Sequence, residues 1–154
     1  MTDGDPDLAG ALAARLDLAA HAHLGRSLAL FHASAADCGG CTLELRALRG
    51  VAYRLQRLGL TLVDTPRHAD VLLVTGAATR TLADPLRRAW EAMADPKWVI
   101  AIGNCALDGG PFRGSYAVLG GAPDVMPVDA VVPGCPPTPA AVLAVLTALL
   151  EANA

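Results

Sequence analysis

A chain of 154 residues with a net charge of −3 has no basic surplus with which to hold nucleic acid, and its length is that of one domain with a core of its own. Its mean hydropathy is +0.40. Only 18% of its residues are charged, against the ~25% usual for globular domains. Alanine accounts for much of this, and two readings stay open: an alanine-rich globule, or a subunit whose surface is partly covered by partners. The longest apolar run, Ala140 to Leu150, is 11 residues and contains Thr147, short of the ~20 that span a bilayer. The acidic start, Met-Thr-Asp-Gly-Asp-Pro-Asp, lacks a basic n-region, and Arg87-Arg88 lies too deep for a twin-arginine signal. Export is therefore not expected. In a reducing compartment the four cysteines favour metal over disulfides.

In chain order, Leu8, Leu12, Leu16 and Leu18 predict a short amphipathic helix over residues 6–24. It forms an N-terminal extension, residues 1–26, ahead of a single domain over 27–154. His21 and His23 read as a solvated helix terminus. Ser27 to His32 predicts a strand, and the small, polar stretch 33–40 a loop that brings Cys38 and Cys41. Leu45, Leu48, Tyr53, Leu55 and Leu58 predict a helix over 42–58, ended by Gly59. Cys41 then lies at or just before a helix N-terminus, where free N–H groups and the dipole favour a thiolate.

Strands are predicted over 60–64 and 70–75, with a turn at 65–68 between them. A helix follows over 83–93, its Leu86, Trp90 and Met93 stripe read as core, and Asp95-Pro96 stops it. The strand 97–103 feeds Cys105 in Gly-Asn-Cys-Ala-Leu-Asp-Gly-Gly. Residues 109–123 read as an ordered loop. A short strand within 125–132 leads to Pro133-Gly-Cys-Pro-Pro137, and a helix runs from Thr138 or Pro139 to about Ala152, with Thr138 as N-cap. His32 and His68, near strand ends, read as structural.

Strands alternating with helices predict an α/β fold, an open, parallel, doubly wound sheet whose ligands bind beyond the carboxyl ends of the strands. Three apolar runs, 27–32, 98–102 and 128–132, end in cysteine loops. All four sulfurs are thus expected at one end of the sheet. The spacing is Cys-x2-Cys, 63 residues, Cys, 29 residues, Cys. The Cys-x2-Cys alone fits a redox pair, zinc or a cluster. Two more cysteines in matching loops argue against the redox pair. Structural zinc typically rescues a domain without a core, and this chain has one. Glycine-rich loops with room for sulfur and nearby backbone amides favour a [4Fe–4S] cluster on Cys38, Cys41, Cys105 and Cys135. A zinc-stabilised scaffold without electron transfer remains the alternative.

Residues from about Arg67 to Leu150 resemble the cluster-bearing small subunit of respiratory complex I. The shared words are Ala69-Asp-Val-Leu-Leu-Val-Thr-Gly76, Asp95-Pro-Lys-Trp-Val-Ile-Ala-Ile-Gly103, Asn104-Cys-Ala106 with Gly109-Gly110, Val125-Met-Pro-Val-Asp129 and Pro133-Gly-Cys-Pro-Pro137. Complex I subunits carry adjacent cysteines where this chain has Gly40-Cys41. The Cys38-x-Gly-Cys41 form is similar to small subunits of membrane-bound nickel–iron hydrogenases and formate hydrogenlyases. Glu44 matches an acidic position in both groups.

The resemblance implies a flavodoxin-like fold and one [4Fe–4S] cluster acting as the terminal relay. It implies an oxidoreductase subunit without an active site of its own. Its partners would be a large catalytic subunit of the nickel–iron hydrogenase or complex I type, a ferredoxin-like cluster subunit and, indirectly, membrane subunits. Its place would be cytoplasmic, peripheral on the inner face of the cell membrane.

Overall fold

The computed structural model describes residues 25–153 together with Ala22. The expected helix over 6–24, with His21 and His23, lies outside the described residues apart from Ala22. In chain order the elements are β1 (Leu28–Ser34), α1 (Gly40–Ala47), β2 (Leu60–Leu62), β3 (Val71–Thr75), β4 (Ala78–Thr79), α2 (Ala83–Ala92), β5 (Trp98–Ile102), α3 (Asn104–Asp108), β6 (Val118–Gly120), β7 (Ala130–Val132) and α4 (Pro139–Ala152). Five strands pair in parallel in the order β2-β1-β3-β5-β7. With the small antiparallel β4–β6 pair set aside, this is the 2-1-3-4-5 order of flavodoxin-like folds.

The central strands read as unbroken apolar runs, Val-Leu-Leu-Val-Thr and Trp-Val-Ile-Ala-Ile, because both faces are covered. On one face Leu30, Leu73, Ile100 and Ile102 pack with Leu45 of α1 and Leu143, Leu146 and Leu150 of α4. On the other, Leu72, Val74, Val99 and Ala101 pack with Leu86 of α2 and Ala106 of α3. Each fully buried Leu or Ile contributes about 1.5–3 kcal/mol. The sheet therefore holds together from both sides, and its carboxyl ends are left to loops.

The C-terminal helix matches its sequence signals. The Thr138 hydroxyl accepts from the Ala141 amide at 3.2 Å, as an N-cap does, and Pro139 opens the helix. No helix of the described residues is long and apolar enough to cross a membrane.

Three expectations change. The single helix over 42–58 is two pieces, α1 and a 3-10 turn over Leu55–Leu58. Bonds from Arg49 to Arg46 and from Gly50 to Ala47 tighten the last turn of α1, and Arg54 adopts a left-handed φ of 46°. Leu45, Leu48 and Leu55 still reach one core cluster, so two short elements satisfy the spacing that a long helix would. The strand predicted over 60–64 is only Leu60–Leu62. The expected loop at 109–123 contains β6 and 3-10 turns at Gly110–Phe112 and Ala122–Asp124, and α3 precedes it.

Candidate metal centre

β1, β5 and β7 run parallel, so the chain leaves all three at the same end of the sheet. Cys38 and Cys41 follow β1, Cys105 follows β5 and Cys135 follows β7. All four are free thiols; Cys38 and Cys135 are exposed and Cys41 and Cys105 half-buried.

The three loops meet at their glycines. Gly103 has φ +87°, and a Cβ there would lie 2.7 Å from Cys41 Sγ and 3.5 Å from the Gly134 carbonyl. A Cβ at Gly110 would come within 3.0 Å of Cys105 Sγ. A Cβ at Gly40 would sit 3.6 Å from Cys38 Sγ and 3.8 Å from Pro136 Cγ. Glycine at the first two positions keeps open the space beside the sulfurs that any side chain would fill. Asn104, unassigned by the sequence reading beyond its place in a shared word, ties two of the loops. Its side-chain oxygen accepts from the Gly134 amide at 3.0 Å and its own amide donates to the Gly134 carbonyl at 2.9 Å. The signal that finds it is a hydrogen-bonding side chain directly before a strand-end cysteine.

The sulfurs feel one another. Burial first, then Cys105, Cys38, Asp37 and Cys135 as neighbouring negative charges, push the Cys41 thiol up to about 11. Cys105 is pushed up by burial, then by Cys135 and Cys38. Cys41 lies in the first turn of α1, where a helix N-terminus favours a thiolate, but burial and mutual repulsion outweigh that effect. Ionising Cys41 and Cys105 beside the other sulfurs therefore calls for positive charge among them, which is the chemistry of a metal-binding donor set. Among the described residues, no group of three or more His, Cys, Asp or Glu is arranged to hold a single metal ion.

The Cys38–Cys41 loop is anchored by Asp37, which the sequence reading passed over. One carboxylate oxygen accepts from Thr42 at 2.7 Å and from the fully buried Thr75 at 2.8 Å, and the other from the Gly39 amide at 3.1 Å. Burial pushes the Asp37 carboxyl up, but hydrogen bonds from Thr42, Thr75, Ser34 and Gly39 prevail and leave it below its ordinary value. Thr75 Oγ1 also meets His32 Nε2 at 2.9 Å. Since the Thr75 proton is committed to Asp37, that histidine nitrogen is the donor. His32 is thus tied into the Asp37–Thr75 network. Glu44 is half-buried on α1, and His68 is exposed in the 3-10 turn Pro66–His68.

Residues 38–149 match the family described as NADH ubiquinone oxidoreductase, 20 Kd subunit. Formate hydrogenlyase subunit 7 of Escherichia coli (strain K12) is 44% identical over 118 residues, covering 77% of this chain and 46% of that protein. The chain thus spans about half the length of that relative. A chain in the structure of an archaeal membrane-bound sulfane sulfur reductase, a respiratory membrane complex, superposes with a TM-score of 0.71 at 31% identity over 82% of this chain and 71% of that one. The [NiFeSe] hydrogenase of Desulfovibrio vulgaris Hildenborough superposes with a TM-score of 0.51 at 18% identity over 75% of this chain and 56% of that one, a likeness of fold alone. The chain belongs to the NADH ubiquinone oxidoreductase 20 Kd subunit family, a family of subunits of oxidoreductase complexes.

Proposed function

We propose that this chain is an electron-relay subunit, with Cys38, Cys41, Cys105 and Cys135 as the four ligands of one [4Fe–4S] cluster. The observation that carries this reading is the meeting of three strand-end loops whose thiols repel one another around glycine-lined space. When bound, such a cluster takes up and gives back single electrons. The chain's own residues do the rest. Gly103 and Gly110 leave room at the sulfurs, Asn104 locks the Cys105 and Cys135 loops together, and Asp37 fixes the Cys38–Cys41 loop. Partial burial of Cys41 and Cys105 limits water at one side, while Cys38 and Cys135 stay open to a partner.

In this reading the chain has no active site of its own and acts within a complex. The kinship with subunits of hydrogenase and complex I type supports a large catalytic partner, a ferredoxin-like cluster subunit and a peripheral position on the inner face of the cell membrane. The test is elemental analysis of the complex isolated anaerobically by a tag on this chain. Iron and sulfide at about four each per chain are expected, and Cys105→Ala should lose the visible iron–sulfur absorbance or convert it to a three-iron form. Stoichiometric nickel would mark a hydrogenase-type partner. Zinc without sulfide would replace the relay by a scaffold.

A further inference from the structure

The outer edge of the sheet carries an arginine-lined groove. β2 pairs only with β1, so among the described residues its other side is an unpaired strand edge. Beside it lies a cavity of about 720 Å³ lined by Arg49, Arg54 and Arg57 together with Gln56 and Thr61. It shares Arg49, Leu62 and Asp64 with a second cavity of about 290 Å³, which Arg46 also lines. That one shares His32, Thr42 and Arg46 with a third, of about 490 Å³, which reaches Asp37 and Gly39. One groove therefore runs from the sheet edge to the Cys38 loop.

Its lining holds four arginines against two aspartates, Asp64 and Asp37. The described residues' ion pairs involve Arg26, Arg88 and Arg113, and none involves Arg46, Arg49, Arg54 or Arg57. In a chain of net charge −3, four of twelve basic residues thus face one groove with no ion-pair partner among the described residues. Arg54 stands there on a left-handed backbone, φ 46°, the one such non-glycine among the described residues. Strain of this kind persists where the surrounding structure imposes it.

We propose that this groove docks an extended, acidic polypeptide segment of another subunit, laid along the free edge of β2. A strand edge offers backbone hydrogen bonds to an extended chain. Cations spread over α1's exposed end, the turn after it and the next turn match a row of carboxylates better than a single compact anion. The proposal needs only the chain's membership of a subunit family and is independent of the metal centre.

The test uses the intact complex. Arg49→Lys and Arg57→Lys keep the charge and install amines that carbodiimide couples directly to touching carboxylates. Arg88→Lys, next to Asp84, whose carboxylate lies 2.8 Å from the native guanidinium, is the coupling control. The expected product joins the amine introduced at position 49 or 57 to an Asp- or Glu-bearing stretch of another subunit. Arg49→Glu with Arg57→Glu should weaken retention of the coupled partner about tenfold or more, because like charges are then opposed. Arg54→Gly relieves the left-handed backbone while removing a charge, so weakened retention there is not a folding defect. Control coupling with no product in the groove, or with Asp64 of the same chain as the only product, overturns the proposal. So does a phosphate-bearing small molecule that co-purifies with the native complex and is lost from the charge-reversed variant.

Discussion

Thr75 has no exposed surface, yet its hydroxyl carries two bonds of the loop anchor. Replacing it by valine keeps the shape and removes both, leaving His32 and Asp37 each short of a partner. Both are half-buried, so water replaces part of the lost bonding and the cost falls at the low end of the penalty for a buried group, about 1 kcal/mol. Thr75→Val should therefore unfold at lower denaturant by a loss of that size, and Thr75→Ser should recover most of it. His32 gives the pH signature of the same network. Burial lowers its pKa from 6.5; Asp37 opposes the shift, and Arg46 and Arg49 add to it. Below pH 6.5 the unfolded chain takes up a proton that the folded chain resists, so stability falls as the solution is acidified. Melting curves from about pH 7 down to about pH 5 should show this acid limb, and His32→Asn should flatten it. An unchanged limb would mean that other groups set the acid sensitivity.

At the scale of elements, the loops matter through what glycine permits. Gly76 follows β3 at φ +83°, and a Cβ there would lie 2.6 Å from the Ala36 carbonyl carbon and the Asp37 nitrogen. Gly76→Ala must push the Cys38 loop away from the sheet, so the variant should fold with less bound iron and native helical circular dichroism. Iron at the native level would show that the loop tolerates displacement. The same contrast explains what was legible in the sequence. β3, β5 and α4 announce themselves because burial on both faces writes an unbroken apolar run, and Thr138-Pro139 writes a cap. The convergence of the cysteine loops follows from parallel strands. The break of the helix after Ala47 is hidden, because Leu45, Leu48 and Leu55 keep a helical spacing across it. β6 is hidden too: three residues, one of them Gly120, paired with β4 far back in sequence, leave no periodicity to read. Asp37 and Asn104 do their tying through partners that the fold brings near, the Thr75 hydroxyl for one and the Gly134 amide for the other, so their types alone did not single them out.

For the molecule as a whole, the decisive question is whether the centre holds the fold or the fold holds the centre. The two core clusters lie on opposite faces of the sheet and are complete without the sulfurs, apart from Cys41, which packs against the first. A chain in which metal supplies the folding free energy is unfolded without it. Here the buried leucines and isoleucines of β1, β3, β5 and α4 supply it instead. Stripping the purified chain with a chelator under reducing conditions should leave far-ultraviolet circular dichroism and cooperative unfolding intact, with the melting temperature lowered and not abolished. In the stripped chain Cys41 should be slow to alkylate at neutral pH, because burial and the neighbouring cysteines push its thiol up to about 11. Loss of the cooperative transition on stripping would reverse the order of dependence. The scaffold reading would then be preferred, with the metal as the structural staple and the sheet as its product.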